Sequence, residues 1–493
     1  MIKDRFATLT TSKNHEISLW VVRRLQRAGF DAYFAGGCVR DKLMRRIPED
    51  YDIATNARPN QVIKLFQKTI TVGKAFGVIK VIQQGVEVEV TTFRTEGPYS
   101  DGRHPDEVKF SSLENDVLRR DFTINGMVYD PINNKIIDLV GGRADLKKKI
   151  IRAIGNPLER FREDKLRMLR AIRFAVELGF KLESKTLSMI KRLNRQIKVV
   201  SAERIRDELK KMLVSKKRAE GIELMDKTGL LKVILPEVRD LKGIKQPKQF
   251  HPEGDVYIHT LKCLEHLSAD ACLRASHRQA QAGLKHPTFE LALATLLHDI
   301  GKPATFTPPS SGADRIRFHE HERVGRDISE KICDRLRLSN QEKDKVIWLV
   351  FKHMAFKDIE KMRISTMKRL FREPYYRELV QLHKADRLAS DLDLKPHYYA
   401  QRMFRKLAEE ELKPKLLING YDLIKLGLKP GPIFSVILKK IEEAQLEKTI
   451  ATKKQALALA KDIAKASAPR HAGMAWKSPR HAAWHGDYSI GAK

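Results

Sequence analysis

An α+β fold is predicted, with an N-terminal head on one mixed sheet followed by all-α domains, and three observations predict it. Short β-type runs alternate with helical segments up to about residue 150, strand signals almost vanish after Gly155, and helical periodicity dominates from there to about residue 465. At 493 residues the chain exceeds one ordinary core. The expected divisions are a head at 15–155, a helical neck and body at 156–245, a helical domain at 255–395, a helical segment at 400–465 and a basic, disordered tail at 466–493.

The elements follow in order. Residues 15–30 place Ile17, Trp20, Val21, Leu25 and Phe30 on one helical face. Strands are expected at Tyr33–Ala35, Tyr51–Ala54, Val78–Ile82, Val86–Phe93 and Ile136–Leu139, with a helix at Pro59–Phe66 between the early ones. Residues 159–240 read as helical and basic, and a turn-rich stretch from Gly243 to Gly254 precedes the next helical block. The last segment breaks at Gly427-Leu-Lys-Pro-Gly-Pro432. The final 28 residues have no period and repeat Pro-Arg-His.

Charge narrows the function. With 94 Lys and Arg against 62 Asp and Glu, the net charge is +32 and the pI about 9.9, an excess that attracts polyanions. A solubilising basic surface is the alternative, and charge alone does not separate a binding protein from an enzyme. Cys38, Cys263, Cys272 and Cys333 lie far apart without CxxC spacing, which argues against a disulfide framework or zinc finger and fits a reducing compartment. The N-terminal residues lack a signal peptide's apolar run, and no stretch approaches 18 apolar residues, so a cytoplasmic protein is expected.

The strand at 33–35 runs into Gly36-Gly37-Cys38-Val39-Arg40-Asp41. A glycine pair lets backbone approach phosphate oxygens, the next helix offers free N–H groups, and Arg40 stands where a guanidinium can pair with a triphosphate. Next come Asp50-Tyr51-Asp52 and Ile53-Ala54-Thr55. Strand alternation sends Asp50 and Asp52 to one face and Tyr51 to the other. Two such carboxylates repel unless a cation lies between them, and Mg²⁺ suits oxygen ligands and bridges phosphates. Two solvated acids on an exposed strand are the alternative. Glu89, or Glu87, in Val86-Glu-Val-Glu-Val-Thr-Thr-Phe-Arg94 offers a third carboxylate, unless a basic neighbour pairs with it.

These segments, with Arg103-His104-Pro105, RRDFTIN at 119–125 and EDKLRMLRAIRF at 163–174, resemble the class II tRNA nucleotidyltransferase (CCA-adding enzyme) and bacterial poly(A) polymerase family, within the DNA polymerase beta-like superfamily. The resemblance covers about residues 30–240. It implies that Asp50 and Asp52 bind catalytic Mg²⁺, that Gly37, Arg40 and Arg120 contact the incoming nucleotide, and that an RNA 3′ end, CTP and ATP are the partners. Two positions depart from the family pattern: Gly126, where Ala is common, is expected to loosen the strand, and Lys165 replaces a common Pro.

The 163–174 segment reads as one helix carrying Asp164, Arg167, Arg170 and Arg173 in a winding stripe. An ordinary basic helix is the alternative. Cytosine and adenine both present an exocyclic amine beside a ring-nitrogen acceptor, so a carboxylate and a guanidinium select them, whereas guanine and uracil put a carbonyl against the carboxylate. The resemblance assigns that task to Asp164 and Arg167, with Arg170 and Arg173 nearby on nucleotide or phosphate.

Within 255–390 stand His259, His298-Asp299, His319, His321, His353 and Asp386. The frame Leu296-Leu-His-Asp-Ile-Gly-Lys-Pro303 resembles the HD phosphohydrolase superfamily, which implies a second divalent metal held by His259, His298, Asp299 and Asp386.

Three activities compete within the family: full CCA addition, addition of the terminal A alone, and poly(A) tailing. Val72-Gly-Lys-Ala-Phe-Gly-Val78 lacks the second basic residue found before Phe in bacterial poly(A) polymerases, and the charged loop from Arg94 to Phe110 argues against CC-only addition. A different class stays open: an RNA-binding HD phosphohydrolase whose head is inactive.

Overall fold

A computed structural model describes residues 12–71, 73–97, 108–247, 249–267, 287–309, 315–407 and 415–466. The chain is α+β as expected, and it divides into two units. The first takes in the described residues through Asp358 together with Pro374–Gln401; the second takes in 359–373 and the described residues from Arg402 on. Arg103-His104-Pro105, Cys272 and nearly all of the basic tail lie outside the described residues.

The head opens with α1 (Lys13–Arg27), capped by the Ser12 hydroxyl accepting from the His15 N–H, and buries Ile17, Val21, Val22 and Leu25. The strands are β1 (Ala32–Ala35), β2 (Asp52–Thr55), β3 (Thr69–Ile70), β4 (Val78–Gln83), β5 (Val86–Thr92), β6 (Arg94–Glu96), β7 (Val108–Phe110), β8 (Val128–Asp130) and β9 (Lys135–Ile137). Seven form a sheet in the order β3-β4-β5-β2-β1-β8-β9. Only β2 against β5 is parallel there, so the sheet is mixed. Its core gathers Val21, Val22 and Leu25 of α1 with Phe34, Ile53, Ile79, Val88 and Val90. The sequence reading lacks β3, β6, β7 and β8, which are two or three residues long and carry too little alternation to stand out.

Head helices α2 (Gly37–Leu43), α3 (Pro59–Leu65), α4 (Leu113–Leu118) and α5 (Gly142–Lys148) lead into the helical body. There α6 (Pro157–Glu163), α7 (Arg167–Leu178), α8 (Ser184–Leu193), α9 (Ala202–Val214), α10 (Arg218–Thr228), α11 (Leu230–Ile234) and α12 (Pro236–Arg239) follow. Residues 163–174 are not one helix. The chain is extended at Asp164 (φ −129°, ψ 105°), whose side chain accepts the Leu166 N–H at 3.0 Å and so competes with the helical ladder. The stripe therefore begins at Arg167, and Asp164 stands in the turn before it.

Gly126 is not in a strand either. It follows the short 3₁₀ turn Thr123–Asn125, where a Cβ would lie 2.7 Å from Val140 Cγ2 and 3.0 Å from Ile154 Cδ1. Glycine there permits close packing and loosens nothing.

The next layer of the first unit holds α13 (Val256–His266), α14 (Phe289–Leu297), α15 (His321–Arg335) and α16 (Asn340–Lys352). In the second unit, α17 (Ile364–Phe371) packs with Pro432–Leu446 over a core that includes Ile418, Leu423, Ile437, Ile441, Ala456 and Ala460. The Lys368 ammonium donates to the Leu446 carbonyl at 2.8 Å, and Arg372 pairs with Glu442 at 2.6 Å. The sequence reading kept 359–373 with the block before it, because helical periodicity carries no record of which helix packs where. The first unit resumes with α18 (Tyr376–Ala389). Among the described residues no helix is long and apolar enough to cross a membrane.

Candidate active site

Parallel pairing sets Ile53 of β2 beside Val90 of β5, so Asp52 and Glu89 occupy neighbouring positions on adjacent strands. Val88 and Val90 point into the core, which turns Glu87 and Glu89 to the open face. Lys80 pairs with Glu87 at 3.1 Å, and Glu89 has no hydrogen-bond or ion-pair partner among the described residues. Asp50 lies just before β2 instead of on it, but the extended chain still buries Tyr51 against Phe34 and leaves Asp50 and Asp52 exposed. Although Asp52 reaches solvent, desolvation and the Glu89 charge raise its carboxyl to about 6, with Asp50 adding to them and Arg120 opposing. The Glu89 and Asp50 charges thus both reach Asp52, and carboxylate oxygens are the donors a hard divalent cation such as Mg²⁺ takes, although the three do not bring ligand atoms within 4.8 Å of one another.

Beside these acids the chain turns sharply at Gly36, whose φ of +73° disfavours a side chain and where a Cβ would sit 3.2 Å from Arg120 Nη1. At Gly37, where α2 starts, a Cβ would meet Arg40 Nη2 at an ordinary 3.6 Å, so Gly36 is the position that requires glycine. Arg40 is held on three sides: Nε donates to Asp41 at 2.9 Å, Nη1 donates to Asn125 Oδ1 at 2.8 Å, and the guanidinium lies 5.4 Å from the Phe174 ring centroid. Asp116, fully buried, pairs with Arg119 at 2.7 Å and Arg120 at 3.0 Å and aims both.

Behind Arg40 runs a hydrogen-bonded chain. Asn125 Nδ2 donates to Asp121 Oδ1 at 3.1 Å, and Arg170 Nη2 donates to Asp121 Oδ2 at 2.6 Å. Arg170 also reaches Glu208 of α9, which pairs with Arg173, and Arg173 meets Glu177 at 2.6 Å. Arg173 and Arg167 are buried, so the stripe faces acids of the body and not open solvent. Arg167 donates to Glu163 at 2.7 Å and to the Arg119 carbonyl at 2.9 Å. Asp164 is gripped by Arg204 of α9 at 2.8 Å. Arg204, Asp121 and Glu208 were missed as partners in sequence, since each lies tens of residues from the group it holds.

A second cluster gathers on α13, α15 and α18 and just past α14 and α16. His259, His298 and Asp299 are buried there, with Asp386 Oδ1 3.1 Å from His259 Nε2. His321 and His353, seen in the sequence but left out of the expected ligand set, join them; His319 is exposed. Asp299 spans both halves. Its Oδ2 lies 3.3 Å from His298 Nε2 and 3.7 Å from His259 Nε2, and its Oδ1 lies 3.4 Å from His321 Nε2 and 3.8 Å from His353 Nε2.

Hydrogen bonds orient the imidazole rings. Nδ1 of His298, His321 and His353 donates to the carbonyls of Thr295, Phe318 and Val350 at 2.8, 2.9 and 2.7 Å, which turns each Nε2 into the cluster. The His321 and His353 Nε2 atoms then face each other at 3.1 Å, and the buried His298 Nε2 has no hydrogen-bond partner. Burial, with His321 and His298 alongside, lowers His353 to about 3. Ring nitrogens and carboxylate oxygens that converge in a buried cluster fit a cation between them. Glu253 Oε1, 2.6 Å from His259 Nδ1, orients that ring, and Lys302 contacts Asp299 Oδ2 at 2.7 Å.

Mixed sheet, carboxylate pair and arginine network together define a nucleotidyltransferase head, joined through a helical body to a histidine–aspartate domain. Residues 32–152 match the "Poly A polymerase head domain" family, 179–241 the family described as "Probable RNA and SrmB-binding site of polymerase A", 256–391 the HD domain family and 324–460 a tRNA nucleotidyltransferase domain 2 family. The chain therefore carries the head domain and RNA-binding region of the poly(A) polymerase type, followed by an HD domain. It is 47% identical over 211 residues to the CCA-adding enzyme of Pediococcus pentosaceus, covering 43% of this chain and 53% of that one. With the CCA-adding enzyme of Lactobacillus helveticus it shares 44% identity over 234 residues, 47% of this chain and 57% of that one. The chain spans about half the length of the curated relatives it matches. The crystal structure of the Bacillus stearothermophilus CCA-adding enzyme in complex with CTP aligns with a TM-score of 0.67 at 28% identity, over 92% of this chain and 99% of that one.

Proposed function

We propose that this chain adds CCA to tRNA 3′ ends from CTP and ATP without a nucleic-acid template. The observation that carries the reading is the pairing of β2 with β5, which sets Asp52 and Glu89 on adjacent strands within reach of the Arg120 charge, with Arg40 and Arg120 lining the Gly36-Gly37 turn. Mg²⁺ bound by Asp50, Asp52 and Glu89 would supply Lewis-acid activation of the 3′-hydroxyl and neutralise charge on the leaving pyrophosphate. Arg40 and Arg120 hold the triphosphate, and their own acidic partners keep them from folding back onto the carboxylates. Asp164 accepts from the exocyclic amine of C or A, and Arg167 donates to the ring nitrogen, with Arg170 and Arg173 bracing that helix. The +32 charge supports an RNA partner.

The test incubates the protein and Mg²⁺ with tRNA ending before CCA, tRNA ending in CC, and oligo(A), supplying CTP and ATP singly and together. Three additions that stop at CCA are expected. One A added only to the CC-ending tRNA would make it an A-adding enzyme, long A tails a poly(A) polymerase, and a shifted but never lengthened RNA an RNA-binding protein with an inactive head.

A second reading is favoured by the facing His321 and His353 nitrogens and the spanning Asp299 carboxylate: the HD domain holds divalent metal and hydrolyses phosphoesters. Asp299→Asn should abolish metal-dependent hydrolysis of bis-p-nitrophenyl phosphate and leave RNA extension intact.

A further inference from the structure

His259 and Cys263 are one turn apart on α13 and present the same face. The Cys263 sulfur lies 3.3 Å from His259 Nε2, and Cys263 Sγ, His259, His298 and Asp386 offer ligand atoms all within 4.8 Å of one another. We infer that Cys263 is a thiolate ligand of the ion in the histidine–aspartate centre, and that the centre therefore takes a borderline metal of the Zn²⁺ or Co²⁺ class in preference to Mg²⁺. The inference rests on reading this centre as a metal site and adds a residue that the HD motif does not contain.

Geometry supports it first. Ligand atoms held in a tetrahedron around one zinc-like ion lie roughly 3.3–3.8 Å from each other. Within this group His259 Nε2 lies 3.3 Å from the Cys263 sulfur and 3.1 Å from Asp386 Oδ1, and all four ligand atoms lie within 4.8 Å of one another. The unpartnered His298 Nε2, on a histidine 1% exposed, belongs to the same group and is an independent sign of a missing ligand.

The donor set supports it next. Cys263 is itself 1% exposed, and its sulfur lies among imidazoles and carboxylates. Sulfur and imidazole favour Zn²⁺ and Co²⁺, whereas Mg²⁺ requires oxygen ligands and keeps its waters. On binding, the sulfur–metal bond replaces the S–H bond and the proton leaves to solvent, so no redox partner is needed. The head, with oxygen donors alone at Asp50, Asp52 and Glu89, has the opposite preference, and one chain keeps two metals apart by ligand chemistry.

The experiment uses the full chain carrying Asp52→Asn, which weakens the head as a competitor, stripped of metal, reduced and titrated with Co²⁺. A near-ultraviolet sulfur-to-cobalt charge-transfer band is expected alongside the visible d–d bands. Cys263→Ser should abolish the charge-transfer band, keep the d–d bands and weaken Zn²⁺ binding by roughly tenfold or more. A triple variant with Cys38→Ser, Cys272→Ser and Cys333→Ser leaves Cys263 as the sole thiol and should keep the band, which decides the matter even where Cys263→Ser fails to fold. Visible bands without charge transfer, or charge transfer that survives Cys263→Ser, would overturn the cysteine ligand alone. No visible Co²⁺ spectrum at all would overturn the metal centre with it.

Discussion

Arg170 donates to the Asp121 carboxylate at 2.6 Å across 49 residues of sequence, and this bond joins the RRDFTIN turn behind Arg40 to α7. Asp121 also accepts from the Phe122 N–H at 2.8 Å and from Asn125 at 3.1 Å. The groups proposed to hold the triphosphate and those proposed to choose the base are thus tied through one buried carboxylate.

Against the penalty of burial, Arg170 and Asn125 hold the Asp121 carboxyl at about 2. A carboxyl depressed on folding stabilises the folded state above its unfolded pKa, and that contribution is lost as pH falls through the folded value. Asp121 should contribute about 2 kcal/mol at neutral pH, lost between about pH 5 and 2. Urea unfolding of Asp121→Asn against the parent should show the difference at pH 7 and its disappearance toward pH 2. Arg170→Ala should cost more, about 3 kcal/mol or above, because it leaves the acid buried and unpaired.

Asp52→Asn and Glu89→Gln should each lower RNA extension by at least about a hundredfold. Glu87→Gln should leave it nearly unchanged, since Glu87 pairs with Lys80 on the rim. Because Asp52 is crowded by like charges, Asp52→Asn should also raise the melting temperature of the metal-free protein. Single-nucleotide gels and thermal unfolding in EDTA read the two effects.

Asp164→Ala should retain Mg²⁺ binding and lose base selection, with UTP and GTP incorporation rising roughly 10- to 100-fold relative to CTP and ATP. Arg204→Ala removes the group that grips Asp164 and should raise KM for CTP and ATP more than it lowers kcat. Wild-type discrimination by Asp164→Ala would refute the base-selection role.

Gly126→Ala should destabilise the fold by about 1–3 kcal/mol, because its methyl would press on Val140 and Ile154. A lower melting temperature at full extension activity is the expected result.

Chelation should lower the melting temperature of the HD domain and Zn²⁺ should restore it, since a metal that binds the folded cluster at the facing His321 and His353 nitrogens stabilises it by mass action. His353→Ala removes one of them and should blunt the response.

By itself the sequence determined whatever a few neighbouring residues decide. Alternation in Val86–Thr92 turned Glu89 outward, the Asp-Tyr-Asp run exposed two acids around a buried tyrosine, and His298-Asp299 announced an HD domain. Two- and three-residue strands, the turn at Asp164 and the packing at Gly126 were not legible, because a side-chain hydrogen bond or a neighbour's methyl overrides local propensity there. Only tertiary structure set Asp52 beside Glu89, Asp121 on Arg170, Arg204 on Asp164, His321 and His353 around Asp299, and Cys263 with His259, His298 and Asp386. Residues far apart in sequence meet through strand register and helix packing, which minimise the free energy of the whole core and leave no periodic trace in the chain.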